Sequence, residues 1–98
     1  MQIRFLPEAE AELIEAAQWY REQAVGLDYE FLRCIDDALA KIGRVPRIFP
    51  VVHRQLRRAL VKRFPYAIFF EVQGEIVLVY AVFHFSRNPK DWKMRSGG

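Results

Sequence analysis

The 98-residue sequence holds a single cysteine, Cys34, so no disulfide can form within the chain. That excludes the small secreted scaffolds that depend on several cross-links and fits a reducing, cytoplasmic setting. Histidine is nearly as scarce, with only His53 and His84. His53 lies in a proline-containing loop with no second histidine or cysteine nearby, so neither a metal nor any other cofactor is expected. No apolar run approaches the ~18–20 residues needed to span a bilayer, and a membrane partner is not expected. The chain opens directly on strand and helix patterns without the apolar core of a signal peptide. Glycine-rich phosphate loops, the HExxH pattern and the nucleophile elbow are all missing. There is no internal repeat and no low-complexity tract.

What is present is core material. Apolar residues make up 52% of the sequence and aromatics 14%. That is enough to fill one core at this length, and residues 1–98 read as a single domain. The formal net charge of +3 hides an uneven distribution. Residues 1–45 carry nine acids against five bases, whereas residues 46–98 carry three acids against ten bases. The second half therefore suits an anionic partner, either nucleic acid or an acidic protein segment.

The pattern of the chain supports an α+β fold in the order β-α-α-β-β-β. Residues 2–6 alternate as a short strand, and Pro7 suits the first position of a helix, where its missing N–H costs nothing. Glu8, Glu10 and Glu12 follow at the positive end of the helix dipole. Ala9, Leu13, Ala16, Ala17, Tyr20 and Ala24 recur at helical spacing, with Trp19 at the border of that stripe. Gly26 is expected to stop this helix and Asp28 to cap the next. Phe31, Leu32, Ile35, Ala38, Leu39 and Ile42 form the second stripe, with Cys34 as a core thiol and with Gly43 and Pro46 as terminators. Residues 43–55 read as the longest irregular segment. Residues 57–63 alternate as a strand, placing Leu60 and Phe64 on the face of Arg58 and Lys62, and Pro65 punctuates the chain. Tyr66 to Val72 and Glu75 to Phe85 are rich in β-branched and aromatic residues around a Gln73-Gly74 turn. The last strand is apolar on both faces, as a covered central strand should be. The short link between the helices predicts an antiparallel hairpin on one face of a small, mostly antiparallel sheet.

An ordered set of segments then resembles the RelE/ParE superfamily of toxins from type II toxin–antitoxin systems. The set comprises the opening strand with Pro7, Glu12-Leu13 and Trp19-Tyr20; Gly26 and Phe31; Pro46 with Phe49-Pro50; and Arg57 followed by Arg63-Phe64-Pro65-Tyr66-Ala67-Ile68-Phe69-Phe70. It closes on Ala81-Val82-Phe83-His84-Phe85-Ser86-Arg87-Asn88-Pro89 with Trp92. The resemblance spans nearly the whole chain. The H-x-x-R-x-P-x-x-W ending looks more like the ParE and plasmid-stabilisation branch. It implies growth inhibition by binding DNA gyrase and neutralisation by a cognate antitoxin. Two alternatives stand beside it. One is a RelE-like, ribosome-dependent mRNA endonuclease, and the other is a non-toxic module that only binds the antitoxin. No tyrosine follows the last strand, Tyr80 lying inside it, which speaks against the RelE-like alternative.

The candidate site is gathered in the basic half. Cutting RNA by attack of the 2′-OH needs a general base, an acid and cations near the phosphate. His84 and Arg87 are the residues that would serve if the chain is a nuclease. Arg57, Arg58, Lys62, Arg63 and Arg87 are the candidates for contacts to a partner or nucleic acid, with the basic run expected to line a groove. Trp92 is either a lid over core surface or an exposed anchor.

Overall fold

The structure, a computed structural model, describes residues 1–96. The chain runs β1 (Gln2–Phe5), α1 (Pro7–Gln23), α2 (Leu27–Arg44), a 3-10 turn (Pro46–Ile48), β2 (Val51–His53), β3 (Leu56–Leu60), β4 (Tyr66–Gln73), β5 (Ile76–His84) and α3 (Lys90–Arg95). One five-stranded sheet has the order β1-β5-β4-β3-β2. β1 joins β5 in parallel, and every other pairing is antiparallel. β5 is thus held between β1 and β4, and cores on both sides of the sheet take up its side chains, Val77, Val79 and Val82 on one and Ala81 and Phe83 on the other, which accounts for its apolar character on both faces. The α+β reading and the helical hairpin on one sheet face hold, with one strand more than the sequence showed.

Five local details differ from the sequence reading. Asp28 does not cap α2. Gly26 occupies that position in the left-handed conformation (φ 82°), with no side-chain cap. Glycine reverses the chain within the short link at no steric cost, so the helices need no polar cap there. Gly43 does not terminate α2, which runs on to Arg44 before Pro46 opens the 3-10 turn. Residues 43–55 are not irregular throughout, because Val51–His53 add an edge strand to β3. β3 stops at Leu60, and the chain bends through Arg63, a non-glycine residue at φ 70°. The bend turns Phe64 into the helix-side core, away from the face of Arg58 and Leu60. Finally, the tail beyond β5 is helical, with the Asn88 side-chain oxygen accepting from the Lys90 N–H at 3.0 Å at its start.

The sheet has two cores. Between sheet and hairpin lie Ala9, Ala16, Tyr20, Phe31, Ile35, Ile42, Ile68, Phe70, Val77, Val79 and Val82. Burial at this scale, about 1.5–3 kcal/mol for each large side chain, is the main force holding the hairpin on the sheet. The opposite face carries a smaller cluster of Leu56, Ala67, Phe69, Ala81, Phe83 and Trp92.

Candidate functional site

The site is organised where β5 outruns β1. The Leu6 N–H reaches the Val79 carbonyl at 2.9 Å, after which the chain turns into α1 and leaves the rest of that β5 edge without a strand. In the same stretch the β4–β5 register slips, with Phe69 opposite Ala81 but Phe70 opposite Val79. This is a β-bulge with Tyr80 as the extra residue. Backbone groups freed in this way need partners, since leaving them buried and unpaired is costly. Two side chains supply them. Glu12 Oε1 accepts from the Val82 N–H at 3.1 Å, and Arg95 Nη1 donates to the Tyr80 carbonyl at 3.0 Å.

Glu12 is 9% exposed and, among the described residues, is the one charged residue in the buried set. Arg95 grips it with a two-pronged contact, Nη1 to Oε1 at 2.9 Å and Nη2 to Oε2 at 2.8 Å. Arg87 adds Nη1 to Oε2 at 3.2 Å and reaches Asp91 with its other nitrogen at 3.4 Å. Fork-shaped contacts of this type combine strength with fixed geometry. The bond to Glu12 pushes the Arg95 guanidinium still higher than its ordinary value, against the opposing effect of burial. Both guanidinium carbons also lie over the Phe83 ring, Arg87 at 4.1 Å and Arg95 at 5.0 Å from its centroid. Helix α1, strand β5 and helix α3 are thereby joined at one point.

Neither Glu12 nor Arg95 was singled out from the sequence as a site residue. The signal for Glu12 is its spacing. It falls three residues after Ala9 and four before Ala16, on the buried stripe, where an unpaired carboxylate would be very costly. Arg95 had no such signal, since nothing local distinguishes it from the bases around it.

On the face away from the hairpin, a cleft of about 380 Å³ is lined by Phe69, Phe83, Phe85 and Trp92, with Arg58, His84 and Arg87 at its polar margin. Leu60 and Phe85 expose more than half their surface beside it. The structure therefore brings Arg58, His84, Arg87 and Trp92 together. It places the other candidates elsewhere. Arg57 Nη1 donates to the carbonyls of Arg47 at 3.1 Å and Phe49 at 2.7 Å, pinning the 3-10 turn to β3. Lys62 is exposed in the bend, and Arg63 faces Glu30 of α2 at 3.6 Å. Arg57 alternates to the other face of β3 from Arg58, and the bend after Leu60 carries Lys62 and Arg63 out of the strand. Trp92 is 8% exposed and stacks on Phe69 at 4.0 Å with the planes 16° apart. It is a lid over core surface, not a free ring.

His84 Nδ1 accepts from the Ser86 backbone N–H at 3.0 Å and lies 2.8 Å from the Ser86 hydroxyl. The neutral ring then carries its proton on Nε2, leaving that nitrogen as a donor. Among the described residues, the cleft lining includes no carboxylate. Burial pushes the Tyr66 and Tyr20 hydroxyls up from their ordinary values, so both remain protonated at neutral pH. No group of three His, Cys, Asp or Glu side chains among the described residues gathers as a metal site, and no helix among them is long and apolar enough to cross a membrane.

A hairpin of helices on a mixed sheet, with an aromatic and cationic cleft on the far face, defines a small α+β domain. Residues 3–89 match the family described as the ParE toxin of type II toxin–antitoxin systems, and the chain belongs to that family. It is thus the toxin component of such a system. Among solved structures it is similar to a chain of the chromosomal ParDE toxin–antitoxin system from P. aeruginosa, with a TM-score of 0.72 and 17% identity. That similarity covers 86% of this chain and 95% of the other. No curated protein sequence matches.

Proposed function

We propose that this toxin arrests bacterial growth by binding, with DNA gyrase as its target, and that a cognate antitoxin neutralises it. The observation that carries this reading is the hydrogen bonding of the cleft's polar side chains. The Nδ1 of His84 is occupied by Ser86, and Arg87 is tied to Glu12 and Asp91. RNA cleavage needs a free base as well as cations, and the cleft offers none. An aromatic floor with Arg58 at its edge instead suits a protein surface that carries apolar and acidic groups.

The test is induced expression in a bacterium, with plasmid supercoiling and protein synthesis followed separately. Loss of supercoiling before any fall in translation supports gyrase. Early translation arrest with cut mRNA overturns it, and an absence of growth inhibition points to a module that only binds its antitoxin. For the antitoxin, exposed ion pairs contribute only ~0–1 kcal/mol each, so apolar anchors should carry most of the affinity. Titration with the neighbour-encoded protein should then show association slowed by salt but a complex that survives it.

A further inference from the structure

His84 is a ridge between two different surfaces. On one side lies the basic cleft. On the other, toward α1, lie two adjoining hollows of about 420 and 220 Å³ that share Trp19, Tyr66 and His84 as walls. Tyr20 completes the aromatic lining of the larger hollow. Successive rings meet steeply: Trp19 on Tyr20 at 83°, Tyr20 on Tyr66 at 62°, and Tyr66 on His84 at 84°. Walls set this way present ring faces as well as edges to the space between them. Trp19 is 55% exposed, an unusual cost for so large an apolar side chain in the absence of a partner.

The smaller hollow adds Glu15, one helical turn before Trp19 and on the same face of α1. Its neighbours there are already paired. Glu12 is held by Arg95, Arg87 and the Val82 N–H, and Arg87 is shared between Glu12 and Asp91. Against Arg87 and Arg95, the carboxylates of Glu12, Glu15 and Asp91 leave one negative charge over. Glu15 has no hydrogen-bond or ion-pair partner for its side chain among the described residues. The surrounding half of the chain is also the acidic one, with nine acids to five bases.

From these features we infer that the trench receives an arginine side chain from a partner protein, its guanidinium against the ring faces and its N–H groups on Glu15. Tryptophan is the strongest cation–π acceptor among the aromatic side chains. A guanidinium is preferred to an ammonium because its planar group stacks on rings and still donates a fork of hydrogen bonds to a carboxylate. A bound segment would then present acidic groups to Arg58 and an arginine to Glu15, with His84 between them, which fixes its direction across the domain. This assignment is independent of which macromolecule the toxin arrests.

The experiment titrates the full chain with Nα-acetyl-arginine amide and, in parallel, with the citrulline amide, which has a similar shape and no charge. The two indole N–H signals are followed by NMR. Trp92, stacked under the opposite face, is the internal reference, and Trp19→Phe assigns the signals. The arginine amide should move the Trp19 signal saturably, with an affinity about fivefold or more above that of the citrulline amide. Glu15→Gln should weaken it about threefold, and Trp19→Ala, followed through the backbone N–H signal of Glu15 because the indole reporter is gone, should show no saturable shift. Both positions are exposed, so the variants keep the fold. Equal responses to the two amides, an unchanged affinity in Glu15→Gln, or no saturable shift of Trp19 would each overturn the assignment and leave the toxin reading standing.

Discussion

Arg95 and Glu12 stand 83 residues apart in the chain, and the guanidinium of one donates to both carboxylate oxygens of the other at 2.9 and 2.8 Å. Both are largely buried, at 17% and 9% side-chain exposure. Because Glu12 also satisfies the Val82 N–H, its removal orphans a backbone donor and strips the Arg95 guanidinium of its counter-charge. Breaking such a pair from one side is costly, about 3 kcal/mol. Glu12→Ala should therefore lower Tm by roughly 12–24 °C, at about 4–8 °C per kcal/mol for a domain of this size. Glu12→Gln, which can still accept from Val82, should lose less. Thermal unfolding of the two variants checks both statements, and a Glu12→Ala protein as stable as its parent would contradict them.

The two large residues near the end of α2 should differ. Ile42 is fully buried, whereas Leu39 is only partly covered by the core. Ile42→Ala should cost about 2–5 kcal/mol, the range for a large aliphatic cut from a packed core. Leu39→Ala should fall below it, since less apolar surface returns to water. Denaturant unfolding would decide. A larger loss at Leu39 would mean that the helix is rotated from the position described.

The adjacent arginines of β3 separate stability from function. Arg57 is fastened to the carbonyls of Arg47 and Phe49, and Arg58 stands exposed at the cleft. Arg57→Ala should reduce stability by about 1–3 kcal/mol. Arg58→Glu should leave Tm within a few degrees and strongly weaken growth inhibition. Circular dichroism melts alongside induced expression would show whether the two effects part as described.

Alkaline pH should destabilise the fold in a defined way. Burial raises the Tyr20, Tyr66 and Tyr80 hydroxyls above their ordinary value of 10.0. As pH passes about 10, the unfolded chain releases these protons first. It then binds fewer protons than the folded chain, so stability falls as pH rises, and the effect vanishes below that range. Tm followed between roughly pH 9 and 12 should decline, and Tyr66→Phe should flatten the decline. A slope unchanged in the variant would rule out Tyr66 as a contributor.

The sequence by itself determined the elements that depend on local rules. Pro7 opens α1, the apolar stripes bury the hairpin, and the turn signal at Gln73-Gly74 marks the β4–β5 hairpin, whose turn falls one residue on at Gly74-Glu75, each from spacing or backbone preference alone. The two-faced apolar pattern of β5 marked a covered strand before any partner for it was known. The ordered motifs also carried the family. What tertiary structure decided was every relation over long sequence distance. The bulge at Tyr80 and the early end of β1 create orphan backbone groups on one edge, and those groups make Glu12 and Arg95 indispensable to each other. The bend at Arg63 scatters a run of bases that looked continuous, leaving only Arg58 of β3 at the cleft. Trp92 becomes a lid because α3 lays it flat on Phe69. A local pattern can say which face a residue prefers. Which groups meet there depends on where strands end and how the chain turns between them.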